Sequence, residues 1–332
     1  MESIVLAQPV ENNVVDVLEQ SGVVDMNPGP EPFGSEELAH RCQSASAVMA
    51  FMTERIDAEF LDRCPELRIV AGALKGYDNI DVDACSRRGV AVSIVPDLLT
   101  DPTAELTVAM MIALARHSMP ADRHVRAGKF NGWRPTFFGS SLVGATVGII
   151  GAGKLGQAVM RMLTGFGGPR LYHDVKRLSL EWEAAYSAEY VSPVEICRRA
   201  DSVVLALPLT AETQGIVDAE FLKQMRPQAY LINTARGSLV DEAAIADALE
   251  AGTIAGYAAD VFEFEDWARV ERPWSIEARL ITSPKTVLSP HLGSAVTDIR
   301  RQITESAADS IIKVLAGGLP DTVINRPYLK GR

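Results

Sequence analysis

Cysteine is scarce in this chain: four residues in 332, at 42, 64, 85 and 197, with no CxxC pair among them. Such spacing offers no disulfide framework, and reduced structural thiols in a cytoplasmic protein are the expectation. Long apolar runs are missing too. The most apolar helical candidate, "LTVAMMIALA" (Leu106 to Ala115), is only about half a bilayer-spanning length. The start, "MESIVLAQPV", has no basic segment followed by an apolar stretch, so no signal peptide is expected. Basic residues are outnumbered, 32 Lys and Arg against 43 Asp and Glu, for a formal charge of -11. That balance disfavours a broad nucleic-acid or anionic-membrane surface but leaves room for a local anion pocket. His117, His124, His173 and His291 show no HxH, HExxH or mixed Cys/His spacing, and no metal is expected.

What is present is alternation. "SIVLAQ", "SAVMAFM", "LRIVAGAL" and "VAVSIV" read as buried strands in the first hundred residues, with helical stretches such as "IDAEFLDRC" and "DVDACSRRG" between them. "ATVGIIG", "PRLYHD", "SVVLALP", "AYLINTA", "GYAADVF" and "TVLSPH" continue the pattern. Strand, helix, strand over this length predicts an α/β protein with parallel sheets covered by helices on both faces. Thr103 to Arg116 reads as a nearly all-apolar helix, which must be buried between domains or against a second subunit. The first domain therefore ends near residue 100. The amphipathic segment from about 295 is placed to return to it.

"TVGIIGAGKLGQAVMRML" carries Gly151-x-Gly153-x-x-Gly156 between a β-branched run and a helix. Glycines there permit a tight turn, close approach of backbone to a pyrophosphate, and tight helix–strand packing. The helix N-terminus presents free N–H groups and partial positive charge to phosphates. Asp174, 23 residues after Gly151, is placed to accept hydrogen bonds from an adenosine ribose and to repel a 2′-phosphate. NAD is favoured over NADP, with Lys176 and Arg177 leaving room for some NADP.

Three polar residues stand just past predicted strand ends: Arg236 in "INTARGSLVDE", Glu265 in "VFEFEDWARVERP" and His291 in "LSPHLGSA". The carboxyl ends of parallel strands are where an α/β sheet holds its reactive crevice. A cation for an anionic substrate, an acid–base histidine and a carboxylate to orient it make a coherent set.

These segments, with "GYDNID" (Gly76 to Asp81), "GYAADVFE" and "SPHLGS", resemble the D-isomer-specific 2-hydroxyacid dehydrogenases over most of the chain. The resemblance implies two Rossmann-like domains with a discontinuous, flavodoxin-like substrate domain at 1–100 and 295–332 and an NAD-binding domain at 101–294. It implies a homodimer, an active site in the cleft, Arg236, Glu265 and His291 as the catalytic set, and Lys154, Leu155, Pro208 and Asp260 beside the glycines on the cofactor side. Lys75 in "ALKGYDN", the long loop after Glu265, Met52 and the "FNGWRPTFFG" segment around Trp133 resemble the phosphite-oxidising branch. A second cation suits a small dianion; Lys75 and Gly76 are expected to bind it, with Met52, Trp133 and Trp267 closing the cavity and Ser294 a minor polar contact. Phe138 and Ala235 depart from that branch. The expectation is thus NAD-dependent oxidation of phosphite; the rivals are a D-2-hydroxyacid dehydrogenase or 2-ketoacid reductase acting on glyoxylate or hydroxypyruvate, and a corepressor-like NAD-sensing protein.

Overall fold

Four-residue strands made of Val, Ile, Leu and Ala recur along the chain, and in the sheet interiors they are buried on both faces. The computed structural model describes residues 2–95 and 97–329. By contact the chain divides into two units, one made of the residues up to Leu99, Trp267–Val270 and those from Ala295, the other of Thr100–Asp266 and Glu271–Ser294.

The first unit runs β1 (Ser3–Leu6), α1 (Asn12–Glu19), β2 (Val23–Met26), α2 (Ser35–Cys42), β3 (Ala47–Ala50), α3 (Ala58–Arg63), β4 (Ile69–Gly72), α4 (Val82–Arg88) and β5 (Ala91–Ser93). Its parallel sheet has the order β2-β1-β3-β4-β5. Asp57 and Asp81 start α3 and α4 by accepting from the N–H groups of Phe60 and Ala84, which satisfies donors that an uncapped helix leaves open. The helix Thr297–Leu315 buries Ile303, Ala307, Ile311 and Val314, and the same core includes the strand residues Val48, Met49 and Ile69.

In the second unit come α5 (Thr100–Ala115), α6 (Ser118–Arg126), β6 (Val147–Ile150), α7 (Lys154–Met162), β7 (Arg170–His173), α8 (Leu180–Tyr186), β8 (Ala188–Tyr190) and α9 (Pro193–Arg199). They continue as β9 (Ser202–Leu205), α10 (Ala219–Gln224), β10 (Tyr230–Asn233), α11 (Glu242–Ala251), β11 (Gly256–Ala259), α12 (Ala278–Thr282) and β12 (Thr286–Leu288). All pairings are parallel and the order is β12-β11-β10-β9-β6-β7-β8. Strand order reverses between β6 and β9, so a crevice opens beyond their carboxyl ends. The α/β class read from the sequence is the one found.

Three differences have plain causes. β2 and β8 escaped the sequence reading because both are edge strands, and an edge strand is free to lack the apolar run that marks a buried one. Helix α5 begins at Thr100 rather than Thr103; Pro102 falls in its first turn, where a missing N–H costs nothing. And α5 is buried along one side only within its unit, through Ala104, Thr107, Met110, Met111 and Leu114, while Ala109 and Ile112 stay exposed. No described helix is long and apolar enough to cross a membrane.

Candidate active site

Beyond β6 the three glycines answer to different demands. At Gly151 (φ 100°) a Cβ would overlap the carbonyl of Ala206, and at Gly156 it would overlap that of Gly151. Both are fixed by the chain's own packing. Gly153 has ordinary dihedrals (φ -68°, ψ -164°) and nothing within 4 Å of a Cβ. Nothing in the protein requires glycine there, which fits a backbone kept bare for a phosphate. Lys154 and Leu155 open α7 directly after it, with Lys154 exposed and Leu155 half-buried. Asp174, past β7, accepts from the Ala152 N–H at 2.6 Å and from that of Lys176 at 3.1 Å. Pro208 follows β9, and its carbonyl accepts from the Thr213 hydroxyl. The glycines, Lys154, Leu155, Asp174 and Pro208 thus stand at the carboxyl ends of β6, β7 and β9, while Asp260, also expected on the cofactor side, follows β11.

The catalytic candidates occupy the next three strand ends. Asn233, wholly buried at the end of β10, donates to the Arg236 carbonyl at 2.8 Å and accepts from the Ala235 N–H at 3.1 Å. This side chain closes the turn that presents Arg236. Past β11, Glu265 ends a 3₁₀ turn (Glu263–Glu265); its Oε1 accepts from the Phe262 N–H at 2.7 Å. Its Oε2 lies 2.8 Å from His291 Nδ1, with both side chains about a quarter exposed or less. The two turns abut: a Cβ on Gly237 would overlap the Phe262 backbone, and the Ser238 N–H donates to buried Asp266 at 2.6 Å. His291 follows β12 with φ 55°, a left-handed conformation that non-glycine residues hold only where surroundings enforce it.

The enforcing group is Asp260, 1% exposed. Its carboxylate accepts from the Ser289 hydroxyl at 2.6 Å and from the N–H groups of Leu292 and Gly293 at 2.7 and 2.8 Å, while its carbonyl accepts from the His291 N–H. Asp260 therefore shapes the histidine turn, a duty that its place in "GYAADVF" did not reveal. Burial pushes its carboxyl above the ordinary 3.8, against the pull of those hydrogen bonds. A raised carboxyl in the folded state makes its stability contribution complete below about pH 3.8 and lost as pH rises through the raised value. Asp260→Asn sets an amide against N–H donors and is expected to cost about 1–3 kcal/mol. Urea unfolding at about pH 4 and about pH 7 checks both points: the gap between parent and variant is larger at the lower pH.

Ser294, three residues beyond His291, is buried at 7% exposed. Trp133 belongs to this unit and is 76% exposed, so within its own unit it is not part of a closed wall. In the first unit, Met52 lies just past β3, and Lys75 and Gly76 follow β4, its neighbour in the sheet; all three are half-buried. Within that unit there is also a half-buried cation that the sequence reading did not single out. Arg300 stands 5.7 Å over the Phe51 ring, and its Nη1 is buried with no hydrogen-bond partner among the described residues. Asn233 and Asp266 were missed as well; a polar residue ending an apolar strand was the available signal for Asn233. Among the described residues no cluster of three or more His, Cys, Asp or Glu is arranged to hold a metal ion.

Residues 108–293 match the family model for the D-isomer specific 2-hydroxyacid dehydrogenase, NAD binding domain. A glyoxylate reductase of Pyrococcus furiosus is 37% identical over 332 residues, covering 98% of this chain and 96% of that protein. The chain belongs to the D-isomer specific 2-hydroxyacid dehydrogenase family. Its cofactor is NAD. A second family member, the glyoxylate reductase of Pyrococcus horikoshii, is 38% identical over 323 residues, with 96% and 94% covered. Among solved structures of this family's fold, a protein from Thermus thermophilus superposes with a TM-score of 0.88 at 32% identity, covering 97% of this chain and 99% of that one. The NADPH-dependent glyoxylate/hydroxypyruvate reductase of Sinorhizobium meliloti, solved with NADP and malonate, gives 0.85 at 28%, with 100% and 99% covered.

These family members correct the phosphite expectation. Full-length matches at 37–38% identity carry the name glyoxylate reductase, and they support the 2-ketoacid alternative instead. The physical reason is that Lys75 and the long loop did not discriminate. A lysine is a point charge that serves a monocarboxylate as well as a dianion.

Proposed function

We propose that this family member reduces a small 2-ketoacid, glyoxylate or hydroxypyruvate, to the 2-hydroxyacid. The observation that carries the reading is the 2.8 Å contact between His291 and Glu265, on turns packed against the one that presents Arg236. The Arg236 guanidinium offers a fork of donors to the substrate carboxylate. Glu265 accepts a hydrogen bond from Nδ1–H of His291, which holds the ring and aims Nε2 at the keto oxygen. His291, reacting as the imidazolium, delivers its Nε2 proton to that oxygen as negative charge develops on it and is left neutral, with Nδ1–H still hydrogen-bonded to Glu265. Bound NADH supplies the hydride. Lys75 and Gly76 are assigned to substrate binding, Met52 and Ser294 to contacts around it. Loss of NADH absorbance on adding glyoxylate or hydroxypyruvate tests the reading, and absence of turnover with both would reject it.

We also infer that two copies pair through the second unit. Ala109 and Ile112 on α5 and the exposed Phe130, Trp133 and Phe138 form apolar surface that a lone chain leaves wet. Light scattering is expected to return twice the 35.9 kDa chain mass; a stable species at the single-chain mass contradicts it.

A further inference from the structure

The loop past β7 carries two cations, Lys176 and Arg177, immediately after the ribose carboxylate Asp174. In sequence either one is available to a 2′-phosphate. The structure treats them differently. Arg177 is folded back onto α8, where its Nε and Nη2 donate to the two carboxylate oxygens of Glu183, each at 2.8 Å. A fork on a carboxylate is the strongest arrangement a guanidinium has. Glu183 is itself fixed. It is 7% exposed and accepts from the Tyr172 hydroxyl at 2.6 Å; the hydroxyl in turn accepts from the Leu178 N–H at 2.9 Å. Tyr190 completes the frame: its hydroxyl donates to the Asp174 carbonyl at 3.1 Å, and its ring lies 5.7 Å from the Arg177 guanidinium.

We propose that Glu183 is a determinant of cofactor choice: it holds Arg177 away from the adenosine ribose, so that a 2′-phosphate meets Asp174 without the guanidinium that would offset it. The pair is well maintained at neutral pH, because Arg177 and then the Tyr172 hydroxyl hold the Glu183 carboxyl down to about 2. Discrimination against NADP is then built from two parts. Asp174 repels the phosphate, and Glu183 withholds its counter-charge. Removing the first alone leaves the second in force.

The inference rests on Asp174 facing the ribose, and the test separates the two. The probe is 2′,5′-ADP, which carries the 2′-phosphate and cannot react, with NAD titrated alongside; both are followed by calorimetry on the full chain. Glu183→Gln keeps the side-chain volume and an acceptor for Tyr172 but loses the charge that binds Arg177. It is expected to tighten 2′,5′-ADP about tenfold or more, the range of one charge-assisted contact, with NAD affinity within about twofold of the parent. Adding Arg177→Ala to Glu183→Gln is expected to abolish the gain, since Arg177 is the group released. Should Glu183→Gln lose structure by circular dichroism, Arg177→Lys gives the second reading, because lysine cannot make the fork and frees its charge. The proposal is overturned if folded Glu183→Gln binds 2′,5′-ADP no better than the parent, if its gain survives Arg177→Ala, or if Arg177→Lys, used in its place, brings none. An unchanged NAD affinity in Asp174→Ala instead removes the ribose assignment, whatever Glu183 does.

Discussion

His291→Ala is expected to lower kcat/KM for glyoxylate by about 10²–10⁴-fold, the usual weight of one positioned general acid. NADH binding should be unchanged, because the imidazole acts on the keto oxygen and not on the nucleotide. The contact with Glu265 extends the test. Glu265→Gln supplies only one oxygen where two are used, for His291 and for the Phe262 N–H, so it should lose part of the same activity. The double variant should be no worse than His291→Ala alone, since Glu265 works through the histidine and groups acting as a unit are not additive. A double variant with losses that multiply would show that Glu265 has a separate role. Steady-state kinetics on the four proteins decides it.

The second large effect concerns Arg236. Arg236→Lys keeps the charge and loses the fork, and a lysine at a bidentate site is not a conservative change. KM for glyoxylate is expected to rise by about ten- to a hundredfold, the equivalent of one lost charged hydrogen bond. Lys75→Ala should move KM in the same direction, with less effect on kcat. Arg236→Lys gives up the guanidinium's bond to the Ala235 carbonyl, but the turn keeps the bonds that Asn233 and Asp266 make to its backbone groups. Measured NADH affinity serves as the control; an equal loss of NADH and glyoxylate binding would remove Arg236 from substrate recognition.

Much of this was legible from residue order because the fold repeats one unit. Each apolar run ends at the same edge of a parallel sheet, so Gly151, Asp174, Arg236, Glu265 and His291 could be placed at strand ends before any contact was known. What residue order withheld depends on packing. Nothing in "HDVKRLSLEWE" says that Arg177 turns onto Glu183; that follows from where α8 lies on the sheet. Asp260, given a place on the cofactor side by the resemblance, is seen to hold the His291 turn only once that turn closes over it. The substrate was misread for a related reason. Lys75 and the loop after Glu265 are unusual residues in plausible places, but charge on a loop does not report the charge of its guest.

The most direct measurement is the initial rate of NADH consumption with glyoxylate, hydroxypyruvate and pyruvate, set beside NADH formation from NAD with phosphite. The account predicts reduction of at least one 2-ketoacid with kcat/KM of about 10⁴ M⁻¹s⁻¹ or more, the ordinary range for enzymes, and its collapse in His291→Ala. No turnover of any 2-ketoacid, with NADH instead accumulating from phosphite, would contradict it.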